Sequence, residues 1–254
     1  STYSKISCSS VWIEKGQINL VKKITVFLFV FIIFITISVN YYFEFIGLGD
    51  PVRYDKDVVY GIAPKENQKK TRFKNSVVTI NESGLRSLEN WKNSKKKKIL
   101  FIGDSVTFGG SFIDDKKIFS YLVCDILKEF SCGNTGVNAY NIINMVNRSR
   151  YDERIQDANI VIFFVSALNF TREFTNSETA HFYLNDHKFF LSGLMEAISF
   201  FSTKYDLNYL LSKRDNTKKN QHYKELIDYS LEQLVAETER LKKNDKIVKI
   251  FFSV

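Results

Sequence analysis

Residues 98–110 read KILFIGDSVTFGG, and this stretch sets the fold class of the chain. A continuous apolar run ends abruptly at Gly103, which predicts a buried strand followed by a sharp turn into a helix. Ser105 then lies at the carboxyl end of the strand, where parallel α/β sheets gather their functional groups. Gly109 returns four residues after the serine. The simpler alternative is that Asp104 and Ser105 only cap the following helix.

Strand-like and helix-like segments alternate along the rest of the chain. Buried strands are predicted by apolar runs at 98–102, 160–165 and 246–254. Apolar residues at helical spacing lie between them, at 118–130, 191–211 and 223–243. Continuous apolar strands separated by helices predict a parallel sheet covered on both faces, and so a three-layer α/β/α domain. Because the last strand reaches the final residue with no covering helix after it, we expect the sequence to stop before the fold is complete.

An uncharged apolar segment lies near the N-terminus, ITVFLFVFIIFITISVNYYF at 24–43. A helix of that length rises about 30 Å, the thickness of the hydrocarbon core, so it can span a bilayer. Lys22 and Lys23 precede the segment and Glu44 follows it, so the positive-inside rule places the N-terminus in the cytoplasm. A cleaved signal peptide is the alternative, but the segment is long and no clean small-x-small cleavage site follows it.

The segment divides the chain into four parts. They are a cytoplasmic tail (1–23), a retained transmembrane signal anchor (24–43), an extracytoplasmic lead-in (44–96) and the α/β domain (97–254). Within the lead-in, residues 76–87 predict a short strand followed by a turn at Gly84.

Composition indicates a folding sequence and argues against several classes of function. The chain has 254 residues with 23 Phe, 2 Pro and a net charge of +8 from scattered lysines. No basic stripe interleaves with aromatic residues, so we expect no nucleic-acid partner. The three His and three Cys show no metal spacing, and we expect neither a metal nor a cofactor. Cys124 and Cys132 could pair outside the cytoplasm, but the apolar helix face that carries Cys124 favours a buried free thiol.

Two further elements follow predicted strands at the same edge of the sheet as Ser105. GNTGVNAYN at 133–141 lies where the next strand should end, and VSALNFTR at 165–172 directly follows the apolar run at 160–165. Each taken alone is a glycine or asparagine turn. Three such elements at three successive strand ends indicate a functional site.

This order of motifs resembles the SGNH/GDSL hydrolase superfamily over about residues 97–254. The resemblance implies a flavodoxin-like α/β/α fold and makes Ser105 the nucleophile and, through its own N–H, one oxyanion-hole donor. By the same resemblance the Gly136 N–H and the Asn169 side-chain amide complete the oxyanion hole, while Gly103, Asp104 and Gly109 support the nucleophile turn. The upstream segments DVVYGIAPKEN at 57–67 and TINESGLRS at 79–87 look like the lead-in of membrane-anchored bacterial members that modify the envelope or exopolysaccharides.

The chain departs from the family pattern in two places. The third block of the family usually reads Gly-x-Asn-Asp, whereas Ala167 and Phe170 stand at its first and last positions here. No Asp-x-x-His occurs anywhere in the chain. This second departure matters more, because a serine hydroxyl is a poor nucleophile without a base to take its proton.

Three explanations of the missing base remain open. The family's Asp-x-x-His follows the last sheet strand, so the favoured explanation is that the sequence stops before it. ETAH at 178–181 has the same spacing and makes His181 a substitute base, although it directly follows the third block. The third explanation is a degenerate member that binds a carbohydrate or an acyl group without turnover.

The resulting functional hypothesis is a membrane-anchored serine esterase or O-acyltransferase. Its partners are expected to be an acylated carbohydrate or lipid of the cell envelope and the bacterial cytoplasmic membrane, which residues 24–43 cross once with the catalytic domain outside. The alternative is a non-catalytic carbohydrate-binding or scaffold protein of envelope polysaccharide assembly. Arg86 and Arg172 could contact an acidic substrate, but a role as surface salt-bridge partners is favoured. No feature of the sequence predicts an oligomeric state.

Overall fold

A computed structural model describes residues 8–176, 191–204 and 219–253 of the chain. Helix α1 spans Cys8–Phe45 and contains the whole segment predicted to cross a membrane. Within the described residues, one helical stretch is long and apolar enough for that role, Leu20–Phe45, with a mean hydropathy of 2.5. Its most apolar part is not buried against the rest of the protein. The predicted N-terminal membrane-length helix is therefore present, and it begins earlier than the apolar segment.

The lead-in segment forms two antiparallel hairpins. Strands β1 (Tyr54–Asp57) and β2 (Gly61–Pro64) make the first, and β3 (Gln68–Arg72) and β4 (Ser76–Ile80) make the second. The strand and turn predicted at 76–87 are confirmed, and Gly84 has a φ of +69° that favours glycine. Val78, Ile80 and Trp91 are buried in the same hydrophobic cluster as the central sheet. The lead-in therefore shares the core of the α/β domain.

The central sheet has four parallel strands, in the order β6-β5-β7-β8. They are β5 (Lys97–Ile102), β6 (Phe130–Asn134), β7 (Ile160–Ser166) and β8 (Ile247–Ser253). The helices are α2 (Ser105–Phe108), α3 (Phe119–Ile126), α4 (Ile142–Tyr151), α5 (Ala167–Thr171), α6 (Ser192–Lys204) and α7 (Lys219–Lys243). The three apolar runs predicted as strands are confirmed, and β6 supplies the strand expected before the second motif.

The sheet is covered on both faces because its strands alternate their side chains. One set packs with helices α4 and α7 and with the hairpins: Leu100, Ile102, Val161, Phe163 and Val165. The other set packs with Phe119 and Val123 of α3: Ile99, Phe101, Ile160, Ile162 and Phe164. Strands buried on both sides read as continuous apolar runs, which is why the sequence identified them. The predicted three-layer α/β/α fold with a parallel sheet is confirmed.

The prediction of a free thiol at Cys124 is wrong, because Cys124 and Cys132 form a disulfide with their Cα atoms 5.9 Å apart. The apolar pattern predicted a helix to residue 130, but α3 ends at Ile126. Because the helix ends at Ile126, the chain can reverse direction and enter β6 at Phe130. Cys132, in the middle of β6, then lies against Cys124 near the end of α3. Such a short loop could not bring the two residues together if the helix continued.

A buried carboxylate joins helices α4 and α7. The Ser149 hydroxyl donates to Glu237 Oε1 at 2.7 Å, and the Arg150 guanidinium donates to Oε2 at 3.1 Å. Burial alone raises the pKa of Glu237, but hydrogen bonds from Arg240 and Ser149 outweigh it and lower the pKa below its ordinary value. A carboxyl whose folded pKa is depressed stabilises the fold above its unfolded pKa, and this contribution is lost as the pH falls through the folded pKa.

We expect Glu237→Gln to lower the melting temperature at about pH 7 and to have a smaller effect in acid, once the pH has fallen through the depressed folded pKa and the wild-type carboxylate is itself protonated. Thermal unfolding followed by circular dichroism across this pH range measures the difference. Glu232→Gln on the exposed face of the same helix is the matched control and should leave the pH dependence unchanged. If Glu237→Gln lowers the melting temperature equally at both ends of the pH range, the charge of Glu237 does not contribute to stability.

Candidate functional site

The strand order places one crevice at the carboxyl edge of the sheet. Strand β5 pairs in parallel with β6 on one side and with β7 on the other. Successive strands are therefore added first to one side of β5 and then to the other, so the strand order reverses at β5. In open parallel sheets, ligands bind outside the carboxyl ends of the strands at such a reversal. Ser105 follows β5, the segment 135–141 follows β6, and α5 follows β7. The structure therefore brings the three sequence motifs to one edge.

The turn that presents Ser105 depends on two glycines. A Cβ added to Gly103 would lie 1.9 Å from Thr107 Oγ1, so only glycine leaves room for the chain to turn into α2. Gly109 ends this helix with a φ of +88°, a left-handed conformation that glycine adopts without strain. Asp104 caps the helix by accepting a hydrogen bond from the Val106 N–H at 2.9 Å. The capping role considered for Asp104 is thus real.

The Ser105 carbonyl accepts the Gly109 N–H at 3.1 Å in this turn, but the Ser105 hydroxyl is not engaged in it. Ser105 is half-buried, and no protein group over residues 8–176, 191–204 and 219–253 hydrogen-bonds its hydroxyl. A cap uses its side-chain oxygen to accept a backbone N–H, and here the carboxylate of Asp104 does so instead. The serine hydroxyl is therefore available to a ligand at the strand end.

Asn169 connects the β7 end of the site to the turn that presents Ser105. Its side-chain nitrogen donates to Asp104 Oδ2 at 2.9 Å and to the Tyr140 carbonyl at 2.9 Å. Its side-chain oxygen accepts the Ser166 N–H. Both amide hydrogens of the predicted oxyanion donor are thus occupied by protein acceptors. In this arrangement Asn169 holds together the loops that follow β5, β6 and β7.

Arg172 adds a charge to the same cluster. Its Nη1 lies 3.0 Å from Asp104 Oδ2, and its side chain is 31% exposed. The expectation that Arg172 pairs with a carboxylate agrees with this contact, and the partner is the residue immediately before Ser105. A positive group therefore contacts the residue that precedes the serine and remains partly exposed to solvent.

Gly136 allows the loop after β6 to pack against α2. A Cβ added at this position would lie 2.2 Å from the Phe108 nitrogen and 2.8 Å from the Asp104 carbonyl oxygen. The Gly136 N–H, predicted as an oxyanion donor, donates to Asn134 Oδ1 at 2.9 Å. Asn134 also donates to the Thr107 carbonyl at 2.6 Å. The observed role of Gly136 is close packing, and its N–H already has an acceptor.

Ala139 is a residue of this loop that the sequence did not single out. Its φ is +67°, a left-handed conformation that is uncommon for a residue with a Cβ and recurs at functional sites. It is exposed, and its N–H has no acceptor in the part of the chain that the structure describes. It precedes Tyr140, whose carbonyl accepts from Asn169. An open main-chain donor therefore lies beside the site.

The expectation that Arg86 is a surface salt-bridge partner is wrong, because its side chain is fully buried. Its guanidinium pairs with Asp115 at 2.9 Å and donates to the carbonyls of Phe108 at 2.8 Å and Gly110 at 2.7 Å. Burial raises the pKa of Asp115, although its hydrogen bond with Arg86 opposes the shift. Arg86 therefore fixes the C-terminal end of the short helix that begins at Ser105, and it is not available to a substrate.

The candidate base cannot be placed next to Ser105. His181 lies outside the described residues, as does His187, and only the backbone of His222 is described, in helix α7. Among the described residues, the turn that presents Ser105 contains the capping carboxylate of Asp104, which also pairs with Arg172. No base hydrogen-bonds the Ser105 hydroxyl within residues 8–176, 191–204 and 219–253.

Comparison with known proteins gives a weak likeness to one group of enzymes. No protein-family model matches the chain, and no curated protein matches it. Among solved structures, the chain is similar to AlinE4, described as an SGNH-hydrolase family esterase, with 14% identity and a TM-score of 0.29, over 61% of this chain and 76% of that one. A mutant of the same esterase gives 16% identity and a TM-score of 0.30 over the same shares. Likeness at this level carries no weight for the chemistry of the site.

Proposed function

We propose that this chain is a membrane-anchored serine esterase or O-acyltransferase with Ser105 as its nucleophile. The observation that carries the proposal is the Ser105 hydroxyl at the carboxyl end of β5, where the strand order reverses, which has no hydrogen-bond partner among the described residues. Because Asp104 performs the capping, the hydroxyl of Ser105 is not needed to close the turn. The Asp104–Asn169 and Asp104–Arg172 contacts hold that turn in place.

In the proposed reaction, Ser105 Oγ attacks the carbonyl carbon of an acyl ester while its proton passes to a base. The ester C–O bond then breaks, the alcohol leaves with a proton, and the acyl group remains on Ser105. Water or a sugar hydroxyl takes the acyl group in the second half and regenerates the serine. The choice between these two acceptors separates hydrolysis from transfer.

The oxyanion formed during attack needs hydrogen-bond donors, each worth about 3 kcal/mol in the transition state. The Ser105 N–H is the first. The Gly136 N–H can serve this role only if it breaks its hydrogen bond to Asn134 when substrate binds. The Asn169 amide must likewise break a hydrogen bond to Asp104 or Tyr140. The open N–H of Ala139 supplies a main-chain donor that needs no such exchange. We therefore include Ala139 in the proposed oxyanion hole beside Gly136 and Asn169.

We further propose that the domain lies outside the bacterial cytoplasmic membrane. Three features support this location: the membrane-length helix, the lysines that precede its apolar part, and the Cys124–Cys132 disulfide. Disulfides persist in oxidising compartments and are rare in the cytosol. Substrates at that location are acylated glycans or lipids of the envelope, and the exposed positive side of Arg172 suits an acidic member of either class.

The proposal is tested with the full-length protein in lipid vesicles and short-chain aryl esters, with and without a sugar alcohol as acceptor. We expect release of the aryl alcohol above the uncatalysed rate in both conditions. An acylated sugar detected by mass spectrometry identifies transfer, whereas free acid alone identifies hydrolysis. If neither the aryl alcohol nor either acyl product forms, the proposed esterase or acyltransferase activity is contradicted.

A second function is favoured by one specific observation, which is that Gly136 N–H and both Asn169 amide hydrogens already have protein acceptors. A site whose donors are used to hold its own loops together suits a non-catalytic protein that binds an acylated glycan. Binding of such a glycan with unchanged ester content after prolonged incubation would favour this function over the first.

A further inference from the structure

Helix α6 packs against the outer end of α1 and runs back along it. The Ser192 hydroxyl donates to Glu44 Oε1 at 3.2 Å, and the Leu194 N–H donates to Asn40 Oδ1 at 3.1 Å. As the residue number rises along α6, the partner on α1 therefore moves back towards the N-terminus. The two helices are antiparallel, and the first turns of α6 point from the α/β domain towards the apolar part of α1.

The contact between the helices is close because α6 presents small residues to α1. A Cβ added to Gly193 would lie 2.8 Å from the Asn40 carbonyl oxygen and 3.0 Å from the Glu44 nitrogen. Ala197 follows one helical turn later and is 1% exposed. On α1, Thr36 and Ile37 precede Asn40 by one turn and are less exposed than their neighbours. Small residues four apart are typical of helix pairs packed within membranes.

Over residues 192–199, the opposite side of α6 exposes two apolar side chains, with Ser199 exposed beside them. Met195 is 52% exposed and Ile198 is 55% exposed. The nearby end of α1 exposes Tyr41 and Tyr42, the aromatic residues typical of a membrane–water interface. Because Leu194 already pairs with Asn40, the next residues of α6 lie level with, or inside, this aromatic belt. The side of α6 that exposes Met195 and Ile198 is thus continuous with the lipid-facing surface of the anchor.

A buried ion pair fixes α6 to the domain at the same point. Glu196 pairs with Arg72 of strand β3, which is 1% exposed, and also accepts the Gly49 N–H. Its charge therefore points to the domain. A buried charge is tolerated when it is paired and hydrogen-bonded, as Glu196 is here. The acidic residue of α6 therefore does not add a charge to the side that exposes Met195 and Ile198.

We propose that the first two turns of α6 insert into the outer leaflet of the bilayer beside α1, with Met195 and Ile198 in contact with lipid acyl chains. The proposal rests on the proposed anchoring by α1 and goes beyond it, because it gives the α/β domain a second attachment. One helix leaves a tethered domain free to rotate above the membrane. Two packed helices, tied by Glu196 to strand β3, hold the Ser105 edge in one orientation to the lipid surface.

Nitroxide labels on the full-length protein test this placement. A Cys8→Ser background, in which the remaining cysteines form the disulfide, receives Ile198→Cys or Met195→Cys, and the protein is reconstituted in phosphatidylcholine vesicles containing phosphatidylglycerol. Power saturation compares collision with oxygen, which enriches in lipid, and with a water-soluble nickel chelate. Two reference labels are matched for exposure: Ile33→Cys on α1 (42%) and Val235→Cys on α7 (53%).

We expect the labels at 198 and 195 to behave as the Ile33 label does, with several-fold less collision with the nickel chelate than the Val235 label. Water-like behaviour at 198 and 195 with lipid-like behaviour at Ile33 overturns the insertion of α6 and leaves the anchor intact. Water-like behaviour at all three positions overturns both. If the labels at 195 and 198 collide less with both reagents and their spectra show dipolar broadening, this face of α6 packs against a second copy of the chain. That result overturns the lipid contact. Ester turnover by Ser105 is measured separately, so its failure is distinguishable from each of these outcomes.

Discussion

Replacing Ser105 by alanine is expected to lower kcat/KM for aryl ester turnover by at least about a thousandfold, because the proposed nucleophile, which carries the acyl group, is removed. The melting temperature should not change, since the hydroxyl has no hydrogen-bond partner in the described structure. Initial rates over a range of ester concentrations and thermal unfolding of the same preparations provide both measurements.

Ser111→Ala is the matched control for this substitution, because Ser111 is also half-buried and follows the same turn. It should retain the wild-type rate. Equal activity of Ser105→Ala and the wild type would remove the serine from the mechanism. A loss of activity that accompanies a lower melting temperature would instead reveal a structural role for the hydroxyl.

Replacing Arg86 by methionine is expected to cause the largest loss of stability, about 3 to 5 kcal/mol, because it leaves the buried Asp115 carboxyl without its partner. The carbonyls of Phe108 and Gly110 also lose their donor. For a domain of this size, the melting temperature should fall by roughly 6 to 20 °C. Differential scanning calorimetry of the detergent-solubilised protein measures the change.

Two further variants separate the buried pair from a general effect of charge removal. Lys128→Met breaks the exposed pair with Asp125 and should change stability much less. Adding Asp115→Leu to Arg86→Met should recover part of the loss, because no unpaired charge then remains in the core. A melting temperature for Arg86→Met similar to that of Lys128→Met would show that the guanidinium does not fix the end of α2.

The sequence predicted the layers of the fold because strands that are buried on both faces consist of consecutive apolar residues. Strands β5 and β7 pack on both faces and read as uninterrupted apolar runs. Helix α4 was missed for the opposite reason, since its buried residues include Asn144 and Arg148. Arg148 is held by the Thr135 carbonyl at 3.0 Å, a partner that no local pattern indicates.

The site was predictable in its location but not in its contacts. Parallel strands bring their carboxyl ends to one edge, so motifs after three strands had to meet there. Whether a donor is open depends on side chains that meet only in the folded chain, as with Asn134 and the Gly136 N–H. The Cys124–Cys132 disulfide depends in the same way on where α3 ends.

The most direct test of the central claim is to locate the adduct of a fluorophosphonate on the full-length protein by tandem mass spectrometry. The reagent transfers its phosphonyl group to an activated serine oxygen and releases fluoride. We predict one adduct, on Ser105, which is absent from Ser105→Ala and unchanged in Ser111→Ala. A Ser105 peptide that remains unmodified, or an adduct on another serine, would contradict the assignment of Ser105 as the nucleophile.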